Sequence, residues 1–464
     1  MRTDPKISDE NMTQLTRRTF AKLATATSLS GAASLAMPSF ASAQSRARIV
    51  IVGAGPGGAT VAVLLKQASP DLQVTLIDQR PVHTTCYYSN LYLGGFRNFP
   101  SLVQGFEGLR AMGIRVLIET ATEIDTAKKQ VRFERGRAQP YDWLVLSPGI
   151  DLNFASIEGY SQEAAEIMPH AWRAGPQTQL LKRQLAAMPN GGVVVIAPPA
   201  LPYRCPPAPY ERACMIAHYL KTKKPRSKIV ILDAKRSFTK QALFEEAFAT
   251  LYKDQIELAL SDEIDDNTVV RVDTDTREVV TKSGRKIKAS VANIIPPQRA
   301  GRIAAAAGCA QGDWCPVHLD SFKSTKATNV YVLGDSAIAN EMPKSAFSAH
   351  SQGAVVAADI LAEVAGKPRP QARYQNICWS MLGPDNSVKI AAAYTPGLKD
   401  GLTGLLPSDP FVSKTSETAA VRLATHQEGA AWYDGLTKQL YPRPAEAPAA
   451  AQPGSERRTR QNRN

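Results

Sequence analysis

The sequence predicts an α/β protein of two successive dinucleotide-type units followed by a smaller α+β segment, and three observations carry this. A buried strand, a glycine-rich turn and a helix lead into a second strand that ends in an acid. The same order of strand, turn, helix and acid-ended strand recurs from Gly191 onward. A third short strand, Asn329 to Leu333, follows the second unit and runs into Gly334-Asp335. At 464 residues, the chain exceeds what one hydrophobic core organises.

From the N-terminus, Thr16-Arg17-Arg18-Thr19-Phe20-Ala21-Lys22 precede a weakly apolar stretch from Leu23 to Met37, and Ala41-Ser42-Ala43 gives the small-x-small pattern of a signal-peptidase site. Residues 1–43 are therefore expected to be a twin-arginine signal peptide, with a periplasmic mature chain beginning near Gln44. Twin-arginine export carries folded proteins, so a cofactor taken up before export is expected. No other run approaches the ~18–20 apolar residues of a membrane span, and no integral membrane segment is expected in the mature chain.

Arg48 to Val52 reads as the first strand, Gly53-Ala54-Gly55-Pro56-Gly57-Gly58 as the turn, Ala59 to Gln67 as the helix and Gln73 to Ile77 as the second strand, closed by Asp78. Gly53 suits the tight turn, Gly55 the close approach of backbone to a pyrophosphate, and Gly58 the packing of helix on strand. Asp78 stands twenty residues beyond Gly58, where an acid takes ribose hydroxyls. This is a Rossmann-like, dinucleotide-binding pattern. A hairpin from Lys129 to Glu134 with a Gly136 turn and a returning strand, Tyr141 to Leu146, follow, ending in Ser147-Pro148-Gly149.

The second unit repeats the layout with Gly191 to Ile196, a helix from Tyr210 to Leu220, and Lys228 to Leu232 closed by Asp233; Glu278 to Thr281, a Ser283-Gly284 turn and Ala289 to Ile295 complete it. Its first turn, however, reads Ala197-Pro198-Pro199-Ala200-Leu201-Pro202. Prolines lack N–H donors and add bulk, so this unit is expected to be degenerate, with no nicotinamide dinucleotide bound.

Composition excludes several classes. Hydrophobic residues at 44% and charged residues at 21% are ordinary for globular chains. The 55 basic and 42 acidic residues give +13, yet Arg443, Arg457, Arg458, Arg460 and Arg463 against Glu446 and Glu456 gather part of it in the tail. No basic run interleaved with aromatics appears, so nucleic acid is not expected as a partner. With six histidines and no Cys-x-x-Cys, no metal is expected. No Cys-x-x-Cys-His occurs, so no covalently attached haem is expected on this chain.

Cys86 lies just past the second strand, Cys205 in the loop that replaces the glycine turn, and Cys378 is 173 residues beyond Cys205. Spacing alone fixes no pairing among six cysteines. Thr85-Cys86-Tyr87-Tyr88-Ser89-Asn90, Ile196-Ala197-Pro198-Pro199, Arg204-Cys205-Pro206-Pro207-Ala208-Pro209-Tyr210-Glu211-Arg212-Ala213, Ile295-Pro296-Pro297-Gln298-Arg299-Ala300-Gly301, Trp314-Cys315-Pro316-Val317 and Met342-Pro343-Lys344-Ser345 resemble the flavoprotein subunit of flavocytochrome c sulfide dehydrogenase. The resemblance runs from about Arg46 to Tyr441.

The resemblance implies a glutathione reductase-like architecture. An FAD-binding domain is expected over 44–160 and 298–372, a second dinucleotide-type domain over 161–297, a C-terminal α+β interface domain over 373–441, and a disordered basic tail over 442–464. It implies FAD joined covalently through Cys86, and a redox disulfide between Cys205 and Cys378 that hydrosulfide attacks, leaving a persulfide on one cysteine and a thiolate on the other. Glu211 then relays protons, Asp335 binds the ribityl chain, and Lys344 lies near the pyrimidine end of the flavin. Trp432 lies near the flavin and the partner surface. With Gly53, Gly55, Gly58, Asp78 and Gly149, these complete the expected cofactor site, while Cys214, Cys309 and Cys315 are expected to be structural. Sulfide is the implied substrate and a c-type cytochrome subunit, forming a heterodimer, the implied electron acceptor; the competing expectation is a sulfide:quinone oxidoreductase or another FAD-dependent disulfide-type reductase.

Overall fold

The computed structural model describes residues 47–262, 266–399 and 401–444. The expected signal segment and nearly all of the tail lie outside the described residues. The first unit contains β1 (Arg48–Val52), α1 (Pro56–Ala68), β2 (Gln73–Asp78), α2 (Ser89–Gly94), β3 (Arg115–Ile118) and β4 (Trp143–Leu146). The second contains β5 (Val193–Ala197), α3 (Ala208–Lys223), β6 (Lys228–Asp233), α4 (Gln241–Leu251), β7 (Ile256–Leu260) and β8 (Val291–Ile294). After β9 (Val330–Val332) and α5 (Ala346–Val364), the chain ends in β10 (Tyr374–Gly383), β11 (Asn386–Lys399), β12 (Leu402–Val412) and α6 (Ala419–Leu440).

Ile49, Val50 and Ile51 are fully buried, as continuous β-branched runs are in a sheet covered on both faces. β1 pairs in parallel with β2, Ile49 opposite Val74, and with β4, Val50 opposite Leu144. The sheet order is β9-β4-β1-β2-β3, so the late strand β9 does return to the first unit. The second sheet, β7-β6-β5-β8, is also parallel, with Val194 of β5 opposite both Ile229 and Val291. An antiparallel ribbon, Ile150–Leu152 against Gln298–Ala300, joins the two crossings between units. The expected α/β architecture with two Rossmann-like sheets is the one observed.

Several boundaries differ from expectation: α3 runs from Ala208 to Lys223 instead of Tyr210 to Leu220, and β5 from Val193 to Ala197 instead of Gly191 to Ile196. α1 begins at Pro56, three residues before Ala59, because proline at the first helical position has its φ already set and lacks only a donor the helix leaves unused there. Gly57 and Gly58 are thus in the first helical turn. At the C-terminus, β10, β11 and β12 form an antiparallel meander with α6 packed against β10 and β11. β10 also lies against α3 of the second unit and α5 of the first, which places its middle residues between the two.

Candidate redox-active site

A cavity of about 590 Å³ lies where β1, β2, β4 and β9 end, lined by Val52, Ile77, Ser147 and Gly334 among others, the usual ligand position in doubly wound sheets. Gly53 has φ +104, and a Cβ there would stand 2.2 Å from the Ser147 carbonyl oxygen. A Cβ on Gly58 would stand 2.0 Å from the Gly53 carbonyl oxygen, so the turn closes on itself only with glycine at both places. Gly55 and Gly57 line the cavity, and no side chain caps the N-terminus of α1, leaving first-turn N–H groups to meet an anion.

Asp78 also lines the cavity; its Oδ2 accepts from Ala54 N at 2.9 Å and its Oδ1 from Arg80 N at 3.0 Å. Asp335 lines it from the segment after β9. Its Oδ1 is buried without a partner, its Oδ2 is 3.6 Å from the Arg204 guanidinium, and burial pushes its carboxyl up, against Arg204 and Lys344. Gly149, at φ +72, completes the lining. A glycine cradle, an uncapped helix start, an acid ending β2 and an orphaned buried acceptor fit the pyrophosphate, ribose and polyol of FAD.

Three cysteines converge here from separate elements. Cys86 lines the cavity just before α2, its carbonyl oxygen accepting from Ser89 Oγ at 2.6 Å. Cys205 precedes α3 in left-handed backbone, φ +56, and its N–H donates to the Lys344 carbonyl oxygen at 2.7 Å. Cys378 sits in β10 opposite Ile390. Cys205 and Cys378 are free thiols that share a hydrogen bond. That bond, donated by Cys205, brings Cys378 down to about 7, with Lys240 assisting and burial and Glu211 opposing. The same bond, then burial, pushes the Cys205 thiol up.

Glu211, in the first turn of α3, bridges to both neighbours: Oε2 accepts from Asn90 Nδ2 at 2.7 Å and Oε1 from Met381 N at 2.9 Å. Burial raises its carboxyl above the ordinary range. Neither Lys344 nor Trp432 is among the residues lining the cavity, although Ser345 beside Lys344 and Asp335, which its ammonium contacts, are. The Lys344 ammonium donates to the Asp335 and Ala337 carbonyl oxygens at 2.8 and 2.7 Å over the face of Trp314; carbonyl acceptors and an aromatic face draw it inward. Trp432 stacks on Phe347, with centroids 5.5 Å apart, and packs near Trp379 and Tyr87, so its ring is a neighbour of the residues adjoining Cys86 and Cys378. Cys214, Cys309 and Cys315 are fully buried.

Several participants have no role in the sequence reading. Arg204, in the cysteine-proline-proline block, lines the cavity and faces Asp335. Arg212 is buried and donates to Asn90 Oδ1 at 3.0 Å and Asn293 Oδ1 at 2.8 Å, fixing the amide that holds Glu211; both arginines lay in quoted motifs, where charge among apolar neighbours was the available signal. Tyr441 had none: its hydroxyl donates to the Ala54 carbonyl oxygen at 2.8 Å, and its ring stacks on His83.

The second unit has no equivalent cradle. Asp233 is fully buried, accepting from the Tyr210 hydroxyl at 2.5 Å and Lys235 Nζ at 2.6 Å. Lys235 also donates to the Pro199 carbonyl oxygen at 3.1 Å, tying the proline turn to the acid. Among the described residues, no cluster of three potential metal ligands occurs, and no helix is long and apolar enough to cross a membrane.

Comparison with known proteins agrees with this geometry. Residues 178–296 match the family model "Sulfide dehydrogenase (flavocytochrome c) flavoprotein chain, central", residues 370–441 match "Flavocytochrome c sulphide dehydrogenase, flavin-binding", and residues 47–196 match "Pyridine nucleotide-disulphide oxidoreductase". A sulfide-quinone reductase of Aquifex aeolicus is 31% identical over 194 residues, a match spanning 39% of this chain and 41% of that protein. The solved sulfide:quinone oxidoreductase structure from the same species superposes with TM-score 0.66 at 20% identity, over 85% of this chain and 92% of that one. The flavocytochrome c sulfide dehydrogenase flavoprotein chain of Chlorobaculum thiosulfatiphilum is 42% identical over 43 residues, 9% of this chain and 90% of that sequence. With glycine cradle, cysteine pair and all three family models in register along it, the chain belongs to the flavocytochrome c sulfide dehydrogenase flavoprotein family, a flavin-binding oxidoreductase of the pyridine nucleotide-disulphide class.

Proposed function

We propose that the chain is an exported, periplasmic enzyme that oxidises sulfide to zero-valent sulfur or polysulfide through the Cys205–Cys378 pair and FAD, delivering electrons to a c-type cytochrome subunit in a heterodimer. The observation that carries this is the meeting of Cys205 and Cys378 within one hydrogen bond of each other, on elements adjoining a cavity whose lining includes Cys86 and Asp335. In the oxidised pair, hydrosulfide attacks one sulfur, a new S–S bond forms and the old one breaks, leaving a persulfide and a thiolate. Glu211, raised by burial, takes the proton that sulfur must lose. The net change is HS⁻ to zero-valent sulfur, one proton and two electrons.

Gly53, Gly55 and Asp78 would hold the pyrophosphate and adenosine half of FAD, Asp335 the ribityl chain, and Cys86 a covalent bond to the ring system. Bound FAD supplies the two-electron acceptor that returns the pair to the disulfide and releases electrons singly. Anaerobic sulfide should bleach the flavin absorbance of the purified protein, and Cys205→Ser or Cys378→Ser should abolish bleaching; retained bleaching in both variants removes the pair from the reaction. Denaturation in acid should release flavin from Cys86→Ser but not from the parent protein. The likeness to sulfide:quinone oxidoreductases supports a second reading with quinone as acceptor. Comparing cytochrome c with a soluble quinone as oxidant of the sulfide-reduced protein separates the two.

A further inference from the structure

Lys240 reaches the cysteine pair from the second unit, and no sequence motif announces it. It precedes α4 in left-handed backbone, φ +66, with 8% of its surface exposed. Its Nζ donates to the Cys378 carbonyl oxygen at 2.9 Å and to Ser380 Oγ at 2.7 Å, two uncharged acceptors on β10. Among the described residues, no carboxylate lies within ion-pair distance of it. Its hydrogen-bond partners are neutral, and the Glu211 carboxylate acts on it through space; a buried ammonium is costly without negative charge nearby.

The titratable groups acting on Cys378 come from every element packed around it. They are Cys205 from the loop before α3, Glu211 from α3, Tyr88 beside α2, Tyr394 on β11, and Lys240; Lys240 is the cation of this set. We propose that Lys240 is a positioning residue for the cysteine pair, holding the β10 backbone at Cys378 and keeping the negative charge of the reduced pair on the Cys378 sulfur. The inference rests on Cys205 and Cys378 being the reactive pair. It gives a role to a lysine buried between the second unit and β10, whose charge also acts on Glu211, and agrees with the downward displacement of the Cys378 thiol to which Lys240 contributes.

The test uses the full-length holoprotein with the pair reduced, reading iodoacetamide alkylation of each cysteine by peptide mass across the neutral pH range. The Cys378 thiolate attacks the carbon, a C–S bond forms and iodide leaves, so the rate follows the thiolate fraction. Lys240→Met should slow alkylation of Cys378 at neutral pH about tenfold, the equivalent of one pKa unit. The alkaline plateau should stay unchanged, and Lys240→Arg should restore most of the neutral rate. An unchanged rate in Lys240→Met overturns the proposal, as does equal slowing in the Met and Arg variants. If the Met variant does not fold, Lys240→Gln, which keeps a donor without the charge, carries the same expectation. Alkylation needs no sulfide. A normal Lys240 effect in a protein that fails to oxidise sulfide would therefore refute the proposed function and leave this inference standing.

Discussion

Asp78 and Asp233 hold the same place in the two units, each closing the second strand of a parallel βαβ arrangement, and their surroundings differ completely. Asp78 borders the large cavity; its partners are the backbone N–H groups of Ala54 and Arg80 and, at 4.0 Å, the Arg80 guanidinium. Asp233 is fully buried and bonded to a tyrosine hydroxyl and a lysine. One carboxylate keeps a face for a ligand; the other has become a core tie for the proline turn. A dinucleotide-type sheet thus persists where side chains of the chain itself satisfy the acid.

The largest effect is expected from Asp233→Ala. It strands Lys235 without its acid, so urea unfolding should show a loss of about 3–5 kcal/mol, with flavin retained by the folded fraction; lost flavin at unchanged stability would mean that Asp233 faces a ligand after all. Asp78→Ala should do the reverse. On a Cys86→Ser background, so that a covalent link does not mask release, equilibrium dialysis should show flavin affinity weaker by about 2 kcal/mol, the worth of hydrogen bonds to a charged group, with little change in stability.

A pH series sharpens the same contrast. Burial holds His170 of the second unit down to about 3, Arg173 and Arg212 adding to the effect, and its Nδ1 accepts from Trp172 N at 2.9 Å. A folded-state value below the unfolded one means that its stabilisation is complete above about pH 6.5 and is lost as pH falls toward 3. The unfolding free energy from urea titrations should decline over that window with a limiting slope of about 1.4 kcal/mol per pH unit for this proton, and His170→Gln should remove that component; an unchanged slope would show a charged imidazole already present. The smallest effect belongs to Pro198→Gly with Pro199→Gly. Restoring glycine to the turn leaves Asp233 committed to Tyr210 and Lys235, so NADH should still bleach no flavin, and rapid bleaching would show that prolines alone block the site.

What was legible in the sequence was whatever is specified by neighbours in the chain. The strand from Arg48 to Val52, the glycines of the first turn and Asp78 declare themselves through local spacing, and the proline turn through missing donors. Glu211 was legible as a first-turn acid, whereas its grip by Asn90 and Met381 joins three distant segments. A motif fixes Lys344 along the chain, while the Asp335 and Ala337 carbonyl oxygens and the Trp314 face decide where its flexible amine points. Lys240 was invisible for the same reason in reverse: its backbone belongs to the second unit and its charge to β10.

The bond from Tyr441 to the Ala54 carbonyl oxygen sets an order of events during synthesis. The glycine turn emerges from the ribosome almost four hundred residues before the tyrosine that clasps it. A nascent chain can therefore build the first sheet early, yet its nucleotide cradle stays unlatched until nearly the whole polypeptide has been made. Premature termination anywhere upstream of residue 441 leaves the cradle without that latch, so firm retention of the cofactor reports that translation reached the end of α6.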